Sequence, residues 1–342
     1  MHTHKKILIT TFIFLGMIVL SGFGPRDSQG ADQIVIKLAS VVQPTAPMWR
    51  GVEKWADLVE QRIGQKVKIQ RYPAGQLYRD AESEYRALSK GVIQASGLFG
   101  TLIGGVKPGL DWQSIPGSCN PKNYIEINRA VVPIIDKYLA ADSIKFLGPS
   151  YQGSTLACTF STKRNIKKFE DFKGLKVYSH SKWQMMIAEN FGGVGIEMPM
   201  TEVYTGLSRG MVDVGWSAFA GGPQVFKWNE VAKYMAGPIP GGIAGYYVAL
   251  NMKAWEGLPD DVKKVMAQAA EDAAKWANEW AQKNDVEQQK AIKERYPETF
   301  YEIPDKDFKE MEKFAGKLLW PKYEKESTIG PAIMKVVSSY QK

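Results

Sequence analysis

Hydrophobic positions change period along the chain in a repeating order. Ile34, Ile36 and Leu38 alternate with Val35 and Lys37 and predict a first, buried strand. Met48, Val52, Trp55, Ala56, Val59 and Ile63 then fall on one face of a helix, with Pro47 suited to its first turn and Gly64 to its stop. Val67 and Ile69 alternate again as a short strand before the turn YPAGQL. A second helix is expected over 80–90 with a stop at Gly91, and 92–95 reads as the next strand. Strand, helix, strand, helix, strand predicts a parallel α/β lobe.

The same order returns further along. ALSKGVIQASGLF at 87–99 resembles GLSRGMVDVGWSAF at 206–219: each is a helix end carrying Leu-Ser-(Lys/Arg)-Gly, then an apolar strand and a Phe. The second copy lies among predicted strands LACTF and GLKVY, a helix over 183–191 and a helix over 201–209. After the Gly-rich GPIPGGIAGYY come a strand, YVALN, and a helix over about 260–294, long enough to lie across both lobes. An amphipathic segment between 305 and 340 closes the chain. The expected fold is α/β with two lobes of periplasmic-binding-protein type, a ligand cleft between them and the long helix spanning both. Residues 31–150 with about 246–280 make lobe I, and 151–245 with about 281–342 make lobe II.

Composition narrows the setting. His4, Lys5 and Lys6 precede the apolar run ILITTFIFLGMIVLSGFG, and a small-residue site at Ser28-Gln29-Gly30 follows, so residues 1–30 read as a cleavable signal peptide and the mature chain as periplasmic. Its loss leaves 41 basic and 35 acidic residues, a scattered net charge of +6 without the aromatic platform or motif of a nucleic-acid surface. Cys119 and Cys158 stand far from any His, so they read as one bridge or as two buried thiols. His180 is the only His of the mature chain, which argues against a His-rich metal site. No GxSxG elbow, phosphate loop or GxGxxG fingerprint is present, so neither a catalytic set nor a cofactor is expected.

A secreted two-lobed α/β chain with no catalytic set reads as a solute-binding protein, with its ligand at the strand ends. Four motifs make this specific. KLASVVQPTAP, YPAGQL, FEDFKGLKV and MPMTEVYTGLSRGMVD occur in the order and spacing that resemble the extracytoplasmic receptors of tripartite ATP-independent periplasmic (TRAP) transporters, over about 34–335. The resemblance implies a monomeric receptor that closes on a small organic solute, usually a carboxylate, and delivers it to a sodium-driven membrane permease. Binding proteins of ATP-driven importers share the two-lobed logic but not this motif order, and an enzyme on the same scaffold would lack a nucleophile or metal.

In that family an Arg at the end of the GLK strand grips the ligand carboxylate as a bidentate fork. The matching position here is Tyr178, and a second basic position falls at Cys158. Other cleft positions implied by the resemblance are Val41 and Phe99 on the first lobe, and Met200 and Ser217, next to Trp216, on the second. Tyr78 and Arg79 follow YPAGQL, and Trp183 is a candidate pocket wall. Such a cleft suits an apolar or aromatic acid, with Arg79 as replacement donor ahead of Lys182 and His180 and with Tyr178, Phe99 and Trp216 along the ligand body. The competing ligand is a small amine or neutral solute against aromatic faces, with Glu82, Glu84 or Glu202 as negative partner.

Overall fold

The computed structural model describes residues 33–119, 123–152, 156–219, 221–242 and 245–340; the expected signal peptide lies outside these residues. Strands β1 (Ile34–Ala39), β2 (Val67–Tyr72), β3 (Ala95–Phe99), β4 (Ile144–Phe146), β5 (Tyr151–Gln152), β6 (Ala157–Ser161), β7 (Lys176–Ser179), β8 (Val194–Gly195), β9 (Val214–Ala218), β10 (Tyr234–Ile239), β11 (Gly245–Asn251) and β12 (Phe300–Glu302) make two sheets. The first runs β2-β1-β3-β11-β4 with β5 on β11, and the second β12-β10-β6-β9-β7-β8. Each sheet is the centre of one lobe, and the chain crosses between them from β5 to β6, from β10 to β11 and again from β11 to β12.

The sheets are mixed rather than purely parallel. β1 pairs in parallel with β2 and β3, as the strand-helix alternation requires, but β11 enters antiparallel to β3 because it arrives from the other lobe. β10 and β9 likewise flank β6 antiparallel. The strand expected at 92–95 begins at Ala95, since 92–94 complete the turn out of the preceding helix.

Helix α1 (Trp49–Ile63) buries Val52, Trp55, Ala56 and Val59 of the expected stripe together with Trp49, while Met48 and Ile63 at its ends are half-buried. Helix α2 (Ala81–Ser89) starts where the Asp80 side chain accepts the Ser83 N–H at 2.7 Å. It is followed by α3 (Gly100–Ile103), α4 (Tyr124–Ala140), α5 (Lys182–Asn190), α6 (Val203–Ser208), α7 (Met252–Glu256), α8 (Asp260–Arg295), α9 (Asp305–Glu326) and α10 (Gly330–Ser339). The internal repeat falls on α2–β3 and α6–β9, and both helices stop at a left-handed glycine, Gly91 at φ 75° and Gly210 at φ 70°, a conformation that costs a side-chain-bearing residue.

Helix α8 joins the lobes. Its 36 residues span about 54 Å. Ala269, Ala270, Ala273, Ala274 and Ala277 sit in the core between α1 and the first sheet, whereas Ile292 belongs to a cluster under the second. The buried Asp285 on the same helix accepts the Leu156 N–H at 3.2 Å and so holds one crossing segment. Helices α9 and α10 bridge further: the Tyr323 hydroxyl donates to the Gly109 carbonyl at 2.8 Å, and α10 packs on α4.

Trp55 is fully buried, and its Nε1–H donates to the Met266 carbonyl of α8 at 3.2 Å. Trp55→Ala is expected to destabilise the protein by about 3–5 kcal/mol in urea unfolding. A loss below about 1 kcal/mol would mean that the α1–α8 contact is not a major support of the fold.

Candidate functional site

The C-terminal ends of β3 and β7 meet, and the side chains around that junction define the candidate cleft. Phe99, the last residue of β3, is 2% exposed; its ring lies 6.0 Å from that of Tyr246 on β11 and 5.8 Å from that of His180, just past β7. The Phe99–His180 contact therefore spans the two lobes. His180 is carried by a short loop that is tied down on both sides. The Ser181 N–H donates to the Ser179 hydroxyl at 3.0 Å, Ser179 donates to Gln184, and Gln184 donates to the carbonyl of Gly241 in the second crossing segment. Nδ1 of His180 is sealed from solvent without a partner, and desolvation pulls its pKa down to about 4, so the imidazole is neutral at pH 7.

On the second lobe, strand pairing decides which candidates meet. Cys158 pairs with Ser217, and Tyr178 pairs with Gly215, which also pairs with Phe160, so these side chains share one face of the sheet. Tyr178 is 3% exposed, meets Trp228 edge-on at 5.8 Å between centroids, and clusters with Cys158, Phe160 and Val203, with Met200 packed alongside. Its hydroxyl has no hydrogen-bond partner among the described residues, and burial pushes its pKa well up. Cys158 and Cys119 are free thiols, with Cys158 buried in this face.

Trp216 and Trp183 sit elsewhere. Trp216 is one residue out of phase with Tyr178's partner, so it points to the opposite face and stacks on Phe172 at 5.1 Å. Tyr178 and Trp216, expected along one ligand body, are therefore separated by the sheet. Trp183 is 1% exposed, and its Nε1–H donates to Asp111 at 2.8 Å, joining α5 to the loop after α3 across the lobes. Burial raises the Asp111 pKa, opposed by Lys182 and by the indole.

The expected cationic donors are placed differently again. Lys182 is engaged by Glu326 at 2.6 Å and lies 3.8 Å from Asp111. Arg79 is exposed ahead of α2, Tyr78 beside it is half-buried against the core, and Val41 is half-buried at the end of β1. Among the described residues every buried charged side chain is acidic: Glu84, Asp111, Asp213 and Asp285.

Glu84 is the functional candidate that the sequence hides best. It falls with Ala81, Tyr85 and Leu88 on one stripe of α2, and this position within an apolar face, rather than on the charged one, is the signal that distinguishes it from Glu82. Ser96 on β3 donates to Oε1, the Val41 backbone amide acts on the same carboxylate, and Oε2 has no partner. Desolvation pushes its pKa up to about 7. Close by, Ser40 and Tyr246 share a hydrogen bond, and the Glu84 charge acts on the Tyr246 hydroxyl.

The two perturbed groups have opposite pH signatures. Glu84 rises from 4.5 to about 7 on folding, so the native state holds its proton more tightly and stability falls as pH rises through that interval, by up to about 3 kcal/mol. His180 drops from 6.5 to about 4, so its contribution is lost as pH falls through that window. Melting temperatures from pH 4 to pH 8 are expected to show Glu84→Gln gaining on the wild type toward pH 8, and His180→Gln gaining toward pH 4. Parallel profiles for all three proteins would show that neither group is buried as described.

The model for bacterial extracellular solute-binding proteins of family 7 (DctP) matches residues 38–326. The C4-dicarboxylate-binding periplasmic protein DctP of Rhodobacter capsulatus is 29% identical over 280 residues, covering 80% of this chain and 81% of that protein. The C4-dicarboxylate-binding protein DctB of Bacillus subtilis is 24% identical over 292 residues, 83% of this chain and 81% of its own. Among solved structures, a TRAP periplasmic solute-binding protein from Desulfovibrio salexigens with bound orotic acid superposes with a TM-score of 0.77 at 19% identity, covering 90% of this chain and 98% of that one. That family is one of receptors, not enzymes. The chain belongs to the family-7 bacterial extracellular solute-binding proteins and is an extracytoplasmic solute receptor of TRAP type.

Proposed function

We propose that the mature protein works in the periplasm as a monomer, closes its lobes on a small organic solute with an apolar or aromatic body, and delivers it to a sodium-coupled TRAP permease. The observation that carries this reading is the face shared by Cys158, Tyr178 and Ser217 on the second lobe, next to the contact of His180, two residues after Tyr178, with Phe99 of the first. Tyr178 and Cys158 hold the two positions where the family resemblance implies basic residues, so the solute is gripped by apolar contact and a free phenol rather than by a guanidinium fork. Bridging Phe99 and His180 across the lobes gives the solute contacts that exist only in the closed state, which is what allows binding to shift the equilibrium toward closure.

The ligand class has two readings. The names of DctP and DctB support an organic acid. An acid in this cleft needs a donor, and Arg79 would have to fold inward from the surface to supply it. The second reading, a neutral or amine solute, is favoured by the absence of a buried Lys or Arg among the described residues.

Tyr178→Phe keeps the ring against Trp228 and removes only the unpartnered hydroxyl. It is expected to leave stability within about 1 kcal/mol of the wild type and to weaken binding of the cognate solute about tenfold in calorimetry. Unchanged affinity would make Tyr178 a packing residue and displace the proposed cleft from that face.

A further inference from the structure

A cavity of about 750 Å³ opens between α9, the start of α4 and the chain that joins the lobes. None of the residues that meet at the Phe99–His180 junction lines it, so it is a space apart from the candidate cleft. Its volume lies within the ~300–1,000 Å³ of small-molecule sites. Two of the crossing segments reach it, through Leu156 just before β6 and through residues 239–242 between β10 and β11. Its walls are tied to each other: the Trp320 indole N–H of α9 donates to the Pro116 carbonyl at 3.4 Å, and the Asn123 side-chain amide donates to the Tyr340 carbonyl at 3.2 Å. Gly117 in the loop wall has φ 78°, and a Cβ there would lie 3.3 Å from Cγ of Glu312. Glycine at that position serves both the left-handed turn and the close approach to α9.

Helix α9 presents two adjacent rows to this space. Glu312, Gly316 and Trp320 make one at a spacing of four, and Lys309, Lys313 and Lys317 make the other. The three lysines are exposed, and none of them takes part in an ion pair among the described residues. Glu312 is the one acid of the described lining; Lys309 acts on it, but burial still raises its pKa. Three ammonium groups against a single partly desolvated carboxyl give this side of the cavity a positive field. The rest of the wall is largely apolar, with Ile127, Leu156, Ile239 and Phe308 beside the Trp320 ring.

We propose that the cavity is a second ligand site, separate from the solute cleft, and that it takes an anionic amphiphile. The apolar body lies against Leu156, Ile239, Phe308 and Trp320, and a carboxylate or sulfate head meets the row of Lys309, Lys313 and Lys317. The inference does not depend on which solute the cleft takes. An occupant would touch two of the segments on which a hinge motion of the lobes acts. Gly241, part of the lining, also accepts the Gln184 amide that anchors the His180 loop, so one residue connects this site to the cleft. Binding to the folded arrangement stabilises it.

The test uses the mature chain, unfolded and refolded to strip any bound solute. Calorimetric titrations and melting shifts are measured with decanoate, decyl sulfate and decyltrimethylammonium, all below micelle-forming concentrations. Four proteins are compared: the wild type, a variant combining Lys309→Gln, Lys313→Gln and Lys317→Gln, the cavity-filling Leu156→Trp, and the cleft variant Tyr178→Phe. Gln is a good helix former on an exposed face, so the triple variant keeps the test decisive even if Leu156→Trp fails to fold; circular dichroism checks each protein. The expected result is one decanoate or decyl sulfate per wild-type chain, a raised melting temperature and no saturable binding of the cationic amphiphile. Affinity for both anions is expected to fall about tenfold in the triple variant, to fall in folded Leu156→Trp as well, and to persist in Tyr178→Phe. Equal affinity in the wild type and the triple variant, saturable binding of decyltrimethylammonium, or loss of decanoate in Tyr178→Phe would overturn the second site and leave the receptor reading standing. Absence of anion binding by the folded wild type would overturn it equally.

Discussion

The alanine stripe of α8 is the constraint from which the rest of the geometry follows. Small side chains at Ala269, Ala270, Ala273, Ala274 and Ala277 let the helix approach α1 and the first sheet closely, and larger residues there would force the layers apart. The same helix continues to the second lobe, where Ile292 packs under the sheet and Asp285 holds the crossing segment at Leu156. With one rigid rod fixed to both lobes, the strand ends of the two sheets are brought face to face. The contact between Phe99 and His180 is the local consequence.

Burial changes the chemistry of polar groups on both lobes. His180 is neutral, the Tyr178 phenol is far from ionising, and Glu84 holds its proton up to about pH 7. Water-exposed residues with the same names would do none of these things. On the proposed reading the cleft selects by desolvation: a solute must bring the complement of whatever group it removes from water. The loop carrying His180 is bonded through Gln184 to the crossing segment at Gly241, so the two are tied together.

Much of the fold was legible because periodicity and helix punctuation are local. The stripe of α1, the Asp80 cap of α2, the glycine stops at Gly91 and Gly210, and the extent of α8 follow from short stretches of sequence. The antiparallel entry of β11 and the existence of β10 were not legible, since both depend on the chain returning from the other lobe. The site divides in the same way. Counting along the family motifs placed Tyr178, Cys158 and Ser217 on the second lobe, but a one-residue change of phase sends Trp216 to the other face, and only the pairing with Ser179 reveals it. Trp183 reads as a pocket wall until its indole is seen bonded to Asp111. Glu84 looks like one more helix-surface acid beside Glu82 and Arg86, although its place in the apolar stripe was visible all along.

The most direct measurement of the central claim, a desolvated cleft that selects its solute without a guanidinium fork, is native mass spectrometry of the protein released gently from the periplasm, with the retained solute identified after denaturation. The account predicts a solute with an apolar or aromatic body, bound one per chain. Recovery of a C4-dicarboxylate in that position would contradict it.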